Sequence, residues 1–306
     1  MAVDSKNNVL FAAGDAEYPV FMRATVNPFI SVPVIESGAV DKFKLNDEEL
    51  ALICATHNGE TYHAEIVMNI LTKLDLKIEH LQCGVHPPLD RASYEQLIIK
   101  GRRPTALHNA SSGKHAGLLA MAKALNEPVE NYASVHHPVQ QKLIEKIKAY
   151  AEKDRIPTAL GDSNLPTYFL PLRNIAIMYR KLIEGTDDQL QRVFHIMSLH
   201  PRLIAGKGRF DSEFIATMNG RGIAKIGAEG VRAAGIRTED GQYIGIVVKA
   251  LSGNKQAADS MAIAVMRHLK LMDDETVEKL KSLYTPEIRN HNDMVTGHIE
   301  TEIVIE

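Results

Sequence analysis

The chain has 306 residues, 45% of them hydrophobic and 24% charged, with a formal net charge of −3 at pH 7. That is ample material for a core, and it leaves no one-signed field of the kind that nucleic acid or an anionic membrane attracts. Two cysteines, Cys54 and Cys83, argue against a disulfide framework or a cysteine-based metal site; with no apolar run of membrane-spanning length, a reducing, cytoplasmic setting is expected.

Short strands are predicted around the Gly14-Asp15 turn, at 9–11 and 20–22. Asn27-Pro28 opens a helix that runs to Ser37 and stops at Gly38. Residues 47–55 read as a short helix or a strand, feeding Thr56-His57-Asn58-Gly59-Glu60. Val67, Ile70, Leu71 and Leu74 then recur at helical spacing, while 83–91, with Pro87-Pro88, is irregular.

The next helix is the centre of the chain. His108-Asn109-Ala110-Ser111-Ser112-Gly113-Lys114-His115-Ala116-Gly117 stands at its mouth. Leu118, Met121, Ala122 and Leu125 follow at i, i+3, i+4 and i+7, which predicts one apolar stripe against a core. Ser111 or Ser112 is placed to cap this helix by accepting a backbone N–H. Ser111 and Lys114 also form Ser-x-x-Lys, which sets a hydroxyl beside an amine on one helical turn. A lysine held partly dry can act as base toward such a hydroxyl. On spacing alone the plainer reading is the stronger: a serine cap, a glycine for close packing and a solvated lysine.

Pro138 begins a helix that carries Val139, Leu143 and Ile147 toward Glu152. Residues 156–166 are turn-rich, and Ile175, Met178, Tyr179 and Leu182 mark another helix, closed by Gly185. Gly206-Lys207-Gly208-Arg209 is a flexible loop, able to grip an anion or simply to turn. The clearest strand signal is late, where 231–237 and 242–251 flank the hairpin turn Asp240-Gly241. Ala258, Met261, Ala262, Val265 and Leu269 form a long helix, and Ile303-Val304-Ile305 an added strand. The expected fold is mixed α/β (α+β), in one domain spanning 1–306. An antiparallel sheet from both chain ends (1–25 and 225–306) packs with a helical cluster at about 56–200.

Several segments together resemble one family. They are Thr56-His57-Asn58-Gly59-Glu60 with His63, Cys83-Gly84 followed by Pro88-Leu89-Asp90, and Ser111-Ser112-Gly113-Lys114-His115-Ala116-Gly117. To these are added His137-Pro138-Val139-Gln140, Pro166-Thr167 with Leu170-Pro171-Leu172, His200-Pro201 with Ala205-Gly206, and Lys225-Ile226-Gly227-Ala228-Glu229-Gly230-Val231. In order and spacing they resemble the asparaginase II family, the Rhizobium-type L-asparaginases, over nearly the whole chain with a trimmed N-terminus. The resemblance implies a fold like the serine β-lactamases, a homodimer, and hydrolysis of an asparagine side-chain amide by Ser–Lys chemistry. It places Arg23, His57, Asn109, His115, Gly227 and Glu229 around a small amino-acid or amide substrate.

The departures from that pattern bear on the chemistry. The family usually reads Arg-Ser-x-x-Lys-Pro near its start, whereas this chain has Arg23-Ala24-Thr25-Val26-Asn27-Pro28, without the hydroxyl and the amine. Thr25 is one position away, about 100° around a helix. The second serine of the family is Thr56 here, and its later lysine is retained as Lys225. Two cysteines that hold zinc in the family correspond to Ser111 and Ser163, and neutral hydroxyls are weak zinc ligands, so no metal or other cofactor is expected.

Thr56 with Lys225, or Ser111 with Lys114, would then supply nucleophile and base, while His57, His115 and Glu229 hold water or substrate. In the plainer reading Thr56 satisfies backbone, Lys225 pairs with Glu229, and both histidines are ordinary buried ones. The expected function is an asparaginase-like amide hydrolase or acyl-transfer enzyme. A non-catalytic amino-acid-binding protein of the same family is the alternative, and a subunit-interaction protein is disfavoured by the retained polar residues.

Overall fold

The computed structural model describes residues 1–304. The N-terminus supplies β1 (Ala2–Val3), β2 (Val9–Phe11) and β3 (Pro19–Phe21), and the middle of the chain β4 (Thr158–Leu160) and β5 (Pro166–Pro171). The last third gives β6 (Gly222–Ile226), β7 (Val231–Arg237), β8 (Tyr243–Lys249), β9 (Glu287–Arg289) and β10 (Val295–His298). Five of these make one antiparallel sheet in the order β2-β1-β8-β7-β6, joining the chain's beginning to its last third as expected. Asp240-Gly241 does turn the β7–β8 hairpin, within a loop closed by Thr238 N donating to Gln242 O at 2.9 Å. Gly241 takes the left-handed backbone (φ +84°) that such a turn requires.

The helices that frame the site are α1 (Asn27–Glu36), α2 (Asp47–Ile53), α3 (Thr61–Lys73), α4 (Ser112–Ala124), α5 (Pro138–Ala151), α6 (Leu172–Glu184), α7 (Phe210–Met218) and α8 (Lys255–His268). Helix α6 lies directly on the sheet, and glycine in β8 makes that possible: a Cβ at Gly245 would collide with the Ala176 carbonyl oxygen. Residues 47–55, open between helix and strand in the sequence, begin as helix because Asn46 and Glu49 form a reciprocal capping box. One hydrophobic core runs from Met1 to Leu280. No helix among the described residues is long and apolar enough to cross a membrane.

Four expectations are corrected. Helix α4 is not amphipathic: Ser112 to Ala122 are all buried, since α1, α2 and α3 pack around it, and only its last residues, Lys123 and Ala124, are half-buried. Neither serine caps it. Ser111 occupies the cap position without a side-chain bond, and Ser112 donates instead to the Leu107 carbonyl at 2.9 Å. The turn-rich stretch at 156–166 carries β4 and leads into β5, which with β3 forms a separate three-stranded sheet, so not all strands of the chain's first 25 residues join the main one. At the other end, among the described residues, β9 and β10 pair only with each other and Ile303 and Val304 lie outside any strand; Ile305 falls outside the described residues.

Candidate active site

The three-stranded sheet sets one wall of a cavity of about 340 Å³. Met22 N donates to Tyr168 O (2.8 Å) and Arg23 N to Thr167 Oγ1 (3.1 Å), holding the turn before α1 against β5. Opposite runs the extended stretch after α2. Thr56 N donates to Ile204 O, His57 N to Ala110 O and Asn58 N to Ala205 O, at 2.9–3.1 Å, so this stretch is gripped from both edges. Thr56 therefore faces the cavity from a fixed backbone.

Its hydroxyl has two partners. Lys225 Nζ, from β6, lies 2.8 Å from Thr56 Oγ1, and Asn27 Nδ2, from the first turn of α1, donates to the same oxygen at 3.2 Å. The Asn27 amide also donates to Ala55 O at 2.7 Å, while its Oδ1 is buried with no partner among the described residues. Lys225 is fully buried behind the wall. Its amine also reaches Asp211 Oδ2 at 3.4 Å and Ile226 O at 3.3 Å. Burial pushes that amine down to about 8, against the pull of Asp211. Burial likewise pushes the Asp211 carboxyl up, but Lys225 and Arg232 outweigh it and hold the acid below its ordinary value. Arg232 in turn binds Asp259 from α8 (Nε to Oδ1, 2.7 Å) and stacks over Phe210 at 3.8 Å. Two cations and two anions thus alternate behind Thr56.

Asp211 was not legible beforehand, because an acid in the first turn of a helix reads as a dipole partner facing water. Lys225 pairs with Asp211 and not with Glu229, which lies at the rim 3.9 Å from Arg23. Thr25 does not replace the hydroxyl absent at Ala24, since its own donates to Met22 O at 2.7 Å. Arg23 and Glu229 both adopt left-handed backbone (φ +53° and +62°), a conformation that costs a side-chain-bearing residue about 1 kcal/mol or more. Gly227 passes so close to the turn before α1 that a Cβ there would stand 2.8 Å from Met22 O.

The cavity is lined by Arg23, Thr56, Asn109, Ser111, Lys114 and Gly227, together with Arg209, Asp162 and Ser163. His57 and His115 lie behind the lining. Gly59 N donates to His57 Nδ1 (3.1 Å), so its Nε2 donates to Ser112 Oγ at 2.9 Å. His115 Nε2 donates to Ser163 O at 2.9 Å and Nδ1 accepts from Tyr132 OH at 2.6 Å. Both rings are thereby held neutral, and burial pushes His115 down to about 3. Asn109 braces its own loop, its amide donating to Cys83 O at 2.9 Å and its carbonyl accepting from Ser111 N at 2.8 Å. The Lys114 amine makes its hydrogen bond to Ser163 Oγ at 3.4 Å rather than to Ser111.

At the two positions that hold zinc in the resembling family, Ser111 and Ser163 line the cavity together with Lys114, whose amine donates to Ser163 Oγ. Two neutral hydroxyls beside a cation do not suit a dication, and among the described residues no three His, Cys, Asp or Glu side chains gather to hold a metal. The donor set does not fit zinc.

A family model described as L-asparaginase II matches residues 1–301. No curated protein matches the chain.

Proposed function

The chain belongs to the L-asparaginase II family, and on that premise we propose that it hydrolyses the amide of a small amino acid or related acid, with Thr56 as nucleophile and Lys225 as base. The 2.8 Å approach of Lys225 Nζ to Thr56 Oγ1 carries this reading, because a hydroxyl attacks at neutral pH only beside a group that takes its proton. Asn27 donates to the same oxygen, which leaves the hydroxyl proton to the amine. Burial lowers the Lys225 amine to about 8, which brings its neutral, basic form within reach near neutral pH.

The surroundings of Lys225 suit both ends of the proton transfer. As a neutral amine it donates to Asp211 and Ile226 O and accepts from Thr56; as an ammonium it donates to all three. No partner has to move. Thr56 Oγ bonds to the amide carbon as its proton passes to Lys225. Collapse of the tetrahedral intermediate breaks the C–N bond, and the proton on Lys225 goes to the departing nitrogen, releasing ammonia and leaving a Thr56 ester. Water then adds to the ester with Lys225 again as base, and the acid departs as Thr56 takes back its proton. A second acceptor in place of water would make the same ester an acyl-transfer intermediate.

In this reading Arg23 and Gly227 face the substrate, Glu229 reaches the rim, and Asn109, His57 and His115 hold the walls in place. With Ala24 and Asn27 in place of a hydroxyl and an amine, Thr56–Lys225 is the closer of two hydroxyl–lysine contacts at the site, 2.8 Å against 3.4 Å for Ser163–Lys114. The test is ammonia release from asparagine, glutamine and small amides, with mass spectrometry of the quenched enzyme for an acyl adduct on Thr56. Silence on every amide together with calorimetric binding of the same ligands would make this a binding protein without turnover. The homodimer and the cytoplasmic setting belong to the same proposal, and a monomer by light scattering across micromolar concentrations would remove the former.

A further inference from the structure

Lys114 is a buried cation without a counter-ion. It is 6% exposed and lines the cavity, yet its amine makes one hydrogen bond, the 3.4 Å contact to Ser163 Oγ, and among the described residues no carboxylate lies within 4 Å of it. Arg23, by contrast, pairs with Asp162 at 3.5 Å, while Arg209 is only half-buried and lies among Asp211, Asp259 and the like-charged Arg232. Lys114 feels Asp162, at the exposed rim, and the Cys83 thiol, opposed by the like charge of Arg23.

The polar side chains that share the wall with the amine are hydroxyls. Ser111 and Ser163 bring hydroxyls to the same wall, and Ser111 stands at the N-terminus of the thirteen-residue helix α4, where its side chain caps nothing. The first backbone N–H groups of a helix and its dipole favour negative charge at that end. An ammonium taken out of water without a partner costs free energy, and an anion arriving from the cavity removes that cost.

The geometry points to the Ser111–Lys114–Ser163 corner as an anion subsite that seats the free carboxylate of the substrate while its amide carbon stands at Thr56. The corner that suits zinc in the resembling family has become, by loss of both thiolates, a corner for a carboxylate. The identity of the anion rests on the amide-hydrolase reading, and it narrows the substrate to ω-amides of small dicarboxylic acids, of which neutral amides are poor mimics. Amide nitrogen and carboxylate are then recognised at opposite ends of one cavity.

The test uses the full chain and two readouts. Calorimetry with succinate should show binding, with succinamide at least tenfold weaker. Lys114→Met should weaken succinate roughly 10- to 100-fold, the range for losing a charge-assisted contact. Ser111→Asp, which places a carboxylate beside the amine, should do the same, and Arg209→Gln should cost less than either. In the second readout, Lys114→Met should raise KM for succinamate more than it lowers kcat. Succinate binding that ignores Lys114, absent binding in the parent, loss confined to Arg209→Gln, or one zinc bound through Lys114 would each overturn the subsite. Lys114-dependent succinate binding with no ammonia from any amide would overturn the hydrolase reading and leave the subsite standing. Turnover of succinamate with Lys114-independent binding would do the reverse.

Discussion

Lys225 Nζ and Thr56 Oγ1 lie 2.8 Å apart although 169 residues separate them in the chain. The pair is assembled from β6 and the stretch after α2, and each side is fixed by its own neighbours. If it carries the chemistry, Thr56→Ala and Lys225→Met should each lower kcat about 10²- to 10⁴-fold, the range for losing a positioned proton-transfer partner. Ser111→Ala should cost distinctly less. Ammonia release under saturating amide measures both; a tolerated Thr56→Ala with an inactive Ser111→Ala would transfer the nucleophile to the other wall.

The pH profile follows from the lysine. Burial holds the Lys225 amine at about 8, below its ordinary 10.5, and the base must be neutral to act. Rate should therefore climb as pH rises and level off above about 8, since protonation below that value removes the base. Lys114 also titrates at about 8, so the same limb measured in Lys114→Met separates the two. A limb that disappears with Lys114 rather than persisting would assign it to the wrong amine.

Asp211→Asn should act on both stability and rate. It removes one negative charge from a buried group that includes Lys225, Arg232 and Asp259, leaving a cation uncompensated. Breaking such a set costs about 3–5 kcal/mol, readable as a lower urea midpoint. With the acid gone the charged form of Lys225 is less favoured, so the rising limb of the pH profile should move to lower pH. A limb that stays in place in a folded variant would show that Asp211 does not govern the amine.

Zinc should be weakly held by the parent and regained on restoring thiolates. Ser111→Cys with Ser163→Cys puts two strong ligands where two hydroxyls now stand beside Lys114. Elemental analysis after dialysis should show zinc rising toward one per chain in the double variant only. Near-stoichiometric zinc in the parent would contradict the reading of the hydroxyl corner.

The periodic elements were legible because their patterns are local. The β7–β8 hairpin announced itself through Asp240-Gly241, and α5 and α6 through apolar spacing closed by Glu152 and Gly185 in left-handed backbone. Helix α4 was misjudged in character because four apolar residues at helical spacing look the same on an amphipathic helix and on one buried all round. The small sheet was hidden since β4, all three residues exposed, has no alternation to read. Among site residues, Thr56 and Lys225 were reached through their motif neighbours. Asp211 and the second partnership of Asn27 were not, because each depends on a long-range contact that no local spacing encodes.

The grip on residues 56–58 has a thermal consequence. Because Ile204, Ala205 and Ala110 all hold this stretch, the reacting hydroxyl has no private hinge by which it could drift while the rest of the fold persists. On heating, activity and global structure should vanish over one shared transition, and an enzyme inactivated well below its melting temperature is not what this architecture describes.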